Sequence, residues 1–149
     1  MLENSKKFAV VSLGCKVNRA EVDSYSARLI NEGWKMVDYP DADFVIVNTC
    51  TVTSMAEKKT RQTVRKVCNE SKASKIIVTG CASAIDPDIY KQIDPRIKIV
   101  AKVEMKNADA KSLKILAGDE FRSRAALKIQ DGCNNACTYC IVHTARGKA

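Results

Sequence analysis

The run Phe44-Val45-Ile46-Val47-Asn48-Thr49-Cys50 decides the fold. Four consecutive apolar residues, mostly β-branched, describe a strand buried on both faces, the habit of a parallel sheet covered by helices. The strand runs directly into a small polar pair and a cysteine. The same grammar recurs upstream, where Phe8-Ala9-Val10-Val11-Ser12-Leu13-Gly14 leads into Cys15. It recurs again downstream, where Ile76-Ile77-Val78-Thr79 leads through Gly80 into Cys81. Ile97-Lys98-Ile99-Val100 adds a fourth strand, and residues 34–37 a short edge strand.

Helical patterns fill the intervals. Val22, Tyr25, Leu29 and Ile30 recur at three- and four-residue steps within residues 18–31, and Gly33 stands where a helix stop is expected. Ser54 and Glu57 have capping-box spacing and open a helix over 54–69, with Val64, Val67 and Cys68 facing inward. One helix is expected over 83–92, with Pro87 near its first turn, and a last one over 107–116, stopped by Gly118. Alternating strands and helices give an α/β fold with a mainly parallel open sheet flanked by helices. The expected division is an α/β domain over 1–117, a linker over 118–127 and the start of a second unit over 128–149, with Leu127 to Gln130 as its first strand.

A chain of 149 residues buries one sizeable core. No run approaches the length of a membrane span, and the first seven residues lack the layout of a signal peptide, so the expectation is a cytoplasmic protein with no membrane partner. Seven cysteines without a secretion signal argue for metal binding or catalysis over disulfides. Residues 1–50 carry six basic and seven acidic groups, whereas residues 51–149 carry nineteen and ten. A basic excess of that size suits an anionic partner such as RNA or, more simply, a solvated surface. The same two alternatives hold for Lys58, Lys59, Arg61, Arg65, Lys66, Lys72 and Lys75.

Three cysteines follow three predicted strands. In an open parallel sheet such ends share one edge, where ligands bind, so Cys15, Cys50 and Cys81 are expected to converge. Small residues beside them let backbone approach a bulky inorganic group. Cys68, mid-helix, is expected in the core. A second thiol set lies in Asp131-Gly132-Cys133-Asn134-Asn135-Ala136-Cys137-Thr138-Tyr139-Cys140. Thiolates suit zinc or iron–sulfur centres. A closed zinc site wants four ligands, for which His143, the only histidine, is the candidate; a cubane on Cys133, Cys137 and Cys140 keeps one iron open.

The C-x3-C-x2-C spacing with Tyr139 before the last cysteine resembles the radical S-adenosylmethionine (SAM) signature. Together with Leu13-Gly14-Cys15-Lys16-Val17-Asn18, Asn48-Thr49-Cys50-Thr51-Val52-Thr53 and Val78-Thr79-Gly80-Cys81-Ala82, the chain resembles the methylthiotransferase family of radical SAM enzymes over essentially its whole length. The motif forms are most similar to the branch acting on threonylcarbamoyladenosine in tRNA. The branches acting on isopentenyladenosine or on a ribosomal protein stand as alternatives, as does a non-catalytic metal- or RNA-binding module. The resemblance implies a flavodoxin- or Rossmann-like amino-terminal domain and two [4Fe-4S] clusters. One would be an auxiliary cluster on Cys15, Cys50 and Cys81, the other a SAM-cleaving cluster on Cys133, Cys137 and Cys140, with Tyr139 near the SAM adenine. It further implies tRNA as partner, an electron donor such as flavodoxin or ferredoxin, and addition of a methylthio group to C2 of the modified adenosine at tRNA position 37. The family continues into a partial barrel and an RNA-binding domain, so these 149 residues alone are expected to be inactive. The approach to Arg146-Gly147, Ile141-Val142-His143-Thr144-Ala145, departs from the family's usual run.

Overall fold

Two strands buried on both faces, β3 (Phe44–Thr49) and β4 (Lys75–Gly80), form the middle of a five-stranded parallel sheet. The computed structural model describes residues 6–51, 53–73, 75–101 and 128–149. β1 (Lys7–Ser12) pairs with β3 on one side and with β2 (Lys35–Met36) on the other, and β5 (Ile97–Ile99) closes the far edge, giving the order β2-β1-β3-β4-β5. Every pairing is parallel, as the unalternating apolar runs predict.

Side chains divide between the faces with a period of two. Ala9, Val45, Val47, Ile76 and Val78 join Val64, Val67 and Cys68 of α2 (Ser54–Glu70) in one core cluster. Phe8 and Ile46 face the other way, against Leu29 of α1 (Lys16–Asn31). Cys68 is a core thiol, 5% exposed, and burial raises its pKa. Within α1, Val22, Tyr25 and Leu29 turn inward as expected. Ile30 does not: it is one of the exposed large apolar residues, one step past the stripe that Leu29 closes.

Local chemistry corrects three expectations. The cap of α2 is Thr53, not Ser54; Thr53 is extended, and its hydroxyl accepts from the Ala56 amide at 3.1 Å. The single helix expected over 83–92 is two, α3 (Cys81–Ile85) and α4 (Pro87–Lys91). Pro87 forces Asp86 out of helical geometry, and the Asp86 carboxylate then caps α4 through the Ile89 amide. The strand expected over 127–130 is not formed at 128–130, because among the described residues no strand pairs with that run. The last described helix is α5 (Val142–Arg146). The helix expected over 107–116 and the linker over 118–127 lie outside the described residues. No helix among the described residues is long and apolar enough to cross a membrane.

The return from α2 to β4 is clamped from β5's side. Arg96 donates to the carbonyls of Cys68, Ser71 and Ala73, and Asp94 holds its guanidinium at 2.8 Å. Replacing Arg96 by Met is expected to lower unfolding free energy by about 1–3 kcal/mol in urea titrations, through lost charge-assisted hydrogen bonds. The hydrogen bond from Arg96 also holds the Asp94 carboxyl below its ordinary pKa. A depressed folded-state pKa stabilises the fold above the unfolded value, and that contribution is lost as pH falls through the folded one. The stability gap between the parent chain and Asp94→Asn should therefore be full at neutral pH and close in acid.

Candidate functional site

Strand register puts the first three cysteines on one rim. Thr49 pairs with Gly80, so Cys50 and Cys81 are the next residues of neighbouring strands. Ser12 pairs with Asn48 and the Leu13 amide donates to the Asn48 carbonyl at 3.0 Å, which brings Gly14 and Cys15 to the same edge. Gly14 and Gly80 have φ of 101° and 109°. A Cβ on Gly14 would collide with the Cys50 side chain, and one on Gly80 with the backbone of Thr49 and the Asn48 amide. Both glycines are thus required by conformation and by space.

Asn18, fully buried in the first turn of α1, ties the rim together. Its amide nitrogen donates to the Leu13 carbonyl at 3.0 Å and to the Thr49 carbonyl at 2.9 Å. Its oxygen lies 3.9 Å from the Cys81 sulfur. The side-chain amide of Asn48 donates to the Asn18 carbonyl in return. Thr49 seals the floor, donating to the Thr79 carbonyl at 2.7 Å and accepting from the Ser83 amide.

Cys50 and Cys81 are buried at this rim while Cys15, the residue before α1, is exposed. Three thiols and a glycine-lined edge suit a soft metal centre in donor chemistry and in close backbone approach. Among the described residues, however, no three His, Cys, Asp or Glu side chains are gathered closely enough to hold a metal ion. The fold supplies the shared rim, and the thiols are not closed onto one point.

The second thiol set occupies an irregular loop that folds back on residues beyond α5. The Cys133 amide donates to the Gly147 carbonyl at 3.0 Å, and the Cys140 amide to the Cys137 carbonyl. Gly132, with φ of 75°, lies so near the carbonyls of Gly147 and Lys148 that no Cβ fits. Cys133, Cys137 and Cys140 are partly exposed, and Tyr139 is 91% exposed. His143 is on α5, and the same absence of a gathered donor trio applies to it and these thiols.

Charged groups join the loop to the rim. Arg146 donates to Glu21 at 3.0 Å and to Asp131 at 2.9 Å, and Lys128 reaches the same two carboxylates at 2.8 and 2.9 Å. Arg146 also donates to the side-chain oxygen of Asn18. Burial opposes the charge on both bases, but hydrogen bonds to Asp131 and Glu21 outweigh it and raise both pKa values. Sequence reasoning kept Arg146 only as part of a matched pair and gave no role to Asn18, Glu21, Lys128 or Asp131. The one signal was polar residues at positions 18 and 21 of a helix whose inward stripe includes Val22 and Tyr25.

Asn18→Leu, which keeps the branched shape but removes both donors, is expected to cost about 2–4 kcal/mol of stability by urea titration, since it leaves the buried Thr49 carbonyl and the half-buried Leu13 carbonyl short of a partner.

The family model described as Uncharacterized protein family UPF0004 matches residues 7–102, which span the whole sheet and its rim. The chain is 35% identical to the threonylcarbamoyladenosine tRNA methylthiotransferase MtaB of Chlamydia pneumoniae, over 95% of this chain and 36% of that protein. It is 32% identical to the protein of the same description from Thermotoga maritima, over 95% and 37%. It is also 33% identical to the ribosomal protein uS12 methylthiotransferase RimO of Escherichia coli, over 95% and 35%. The chain thus spans little more than a third of the length of these relatives. With the family model covering well over half of its residues, the chain belongs to uncharacterized protein family UPF0004.

Proposed function

We propose that the chain is the amino-terminal part of a radical SAM methylthiotransferase acting on threonylcarbamoyladenosine at position 37 of tRNA. The observation that carries this reading is the docking of one thiol-bearing loop against the rim that bears the other three thiols, through Arg146 and Asn18. In this reading residues 1–117 form one domain, 118–127 a linker and 128–149 the start of the next.

Cys15, Cys50 and Cys81 would hold an auxiliary [4Fe-4S] cluster, and Cys133, Cys137 and Cys140 the cluster that takes SAM. When bound, these groups supply the reductive, one-electron chemistry that an aromatic C–H demands, because it offers no acidic proton to a side-chain base. The chain's own residues bind and orient. Gly14 and Gly80 leave room for backbone to approach the first centre. Asn18 keeps the strand ends level by bonding to two of their carbonyls. Tyr139, exposed beside Cys140, is free to lie along an adenine face. Lys58, Lys59, Arg65 and Lys66 on the outer side of α2 are exposed and suit tRNA phosphates. An electron donor such as flavodoxin or ferredoxin would supply reducing equivalents.

A second reading keeps the chemistry and places the substrate on ribosomal protein uS12, as the name of the Escherichia coli relative states for that protein. Lys16, Val17 and the Thr51-Val52-Thr53 run favour the tRNA reading.

Anaerobic reconstitution of the chain with iron and sulfide tests the cofactor assignment. About eight irons with matching sulfide per chain are expected, falling by about half in a triple Cys15/Cys50/Cys81→Ala variant. About one zinc and no sulfide would overturn it.

A further inference from the structure

Four charges meet where the two thiol-bearing parts of the chain touch. Glu21 comes from α1; Lys128, Asp131 and Arg146 come from the far end of the sequence. Each base contacts both acids, at 2.8 to 3.0 Å. The side chains of Glu21 and Arg146 are only 4% and 8% exposed. Burial separates this cluster from ordinary surface ion pairs, which are screened and contribute little. Arg146 is the member that reaches furthest, since its second terminal nitrogen bonds to the Asn18 oxygen beside the Cys81 sulfur. Behind it, α5 packs on α3, the helix that begins with Cys81, and Ala145 is buried there. The cysteine loop closes on the residue just after α5, the Cys133 amide donating to the Gly147 carbonyl.

We propose that Arg146 is a positioning residue that clasps the Cys133–Cys140 loop onto the Cys15/Cys50/Cys81 rim through Glu21, Asp131 and Asn18. A guanidinium is needed because it directs several donors at once in a fixed plane, whereas an ammonium is a point charge. Neither thiol set has to hold metal for the clasp to form, so failure of the cofactor assignment leaves it standing.

Hydrogen exchange with mass spectrometry on the 149-residue chain tests the clasp, comparing residues 132–147 with residues 60–70 of α2. In Arg146→Met the first segment is expected to exchange about tenfold faster or more while the α2 segment is unchanged, as for a local opening. Glu21→Gln, altering only the α1 side, should give the same pattern more weakly, and Arg146→Lys should fall between parent and Met. Unchanged exchange in Arg146→Met would overturn the proposal. So would an equal rise in both segments, which would make these charges supports of the whole fold, or a full effect of Arg146→Met with none from Glu21→Gln.

Discussion

Pairing of Thr49 with Gly80, and of Ser12 with Asn48, levels the carboxyl ends of three adjacent strands, and the rest of the candidate site depends on that level edge. Parallel strands deliver their ends to one side, and the order β2-β1-β3-β4-β5 makes successive connections leave in opposite directions between β1 and β3. Such a reversal opens a crevice at the strand ends where open α/β sheets bind ligands. Cys15 and Cys50 follow the two strands that flank the reversal, and Cys81 follows the next strand along. A slip of one residue between β3 and β4 would turn every apolar side chain of a strand to the wrong face, so the core that buries Val45, Val47, Ile76 and Val78 also holds the rim in register.

Level strand ends bring a difficulty of their own. Backbone groups leave the ladder there while still buried, and they need other partners. Asn18 answers for two carbonyls, and Asn48 and Thr49 bond into the same network. Each of these polar side chains has almost no exposed surface, so their bonds form in a low-dielectric setting that strengthens them, while the buried Asn48 side-chain oxygen has no hydrogen-bond partner among the described residues. The glycines complete the arrangement by removing side-chain bulk where the chain segments cross. The rim is therefore held by polar contacts on an apolar base, with the Cys81 sulfur within 3.9 Å of the Asn18 side-chain oxygen.

Charge is used differently in different parts of the chain. Along α2 the pairs Glu57–Arg61 and Lys66–Glu70 are long, at 3.9 Å, and exposed, so they contribute little to folding. Around Arg146 four charges compensate one another, with Glu21 and Arg146 nearly enclosed and Lys128 and Asp131 half-buried, which makes the arrangement sensitive to loss of its buried members. The exposed helix face remains available to a solvated anionic partner. The charge cluster instead fixes one segment of the chain upon another.

Periodic signals in the sequence determined the architecture. Unalternating β-branched runs mark the parallel strands, and inward steps at Val64, Val67 and Cys68 mark the packing face of α2, because burial on a sheet imposes those patterns residue by residue. The thiols at strand ends were legible for the same reason: Cys50 and Cys81 follow their strands directly, and Cys15 comes three residues after Ser12, the last of β1. Details set by a single bond were misread, such as Thr53 in place of Ser54 as a cap and the break at Asp86 before Pro87. Only tertiary structure decided that Asn18 bonds to the carbonyls of Leu13 and Thr49 and that Glu21 meets Lys128 and Arg146 more than a hundred residues away. Local sequence carries propensity and period. It holds no record of which distant charge will be close once the sheet and its helices have packed.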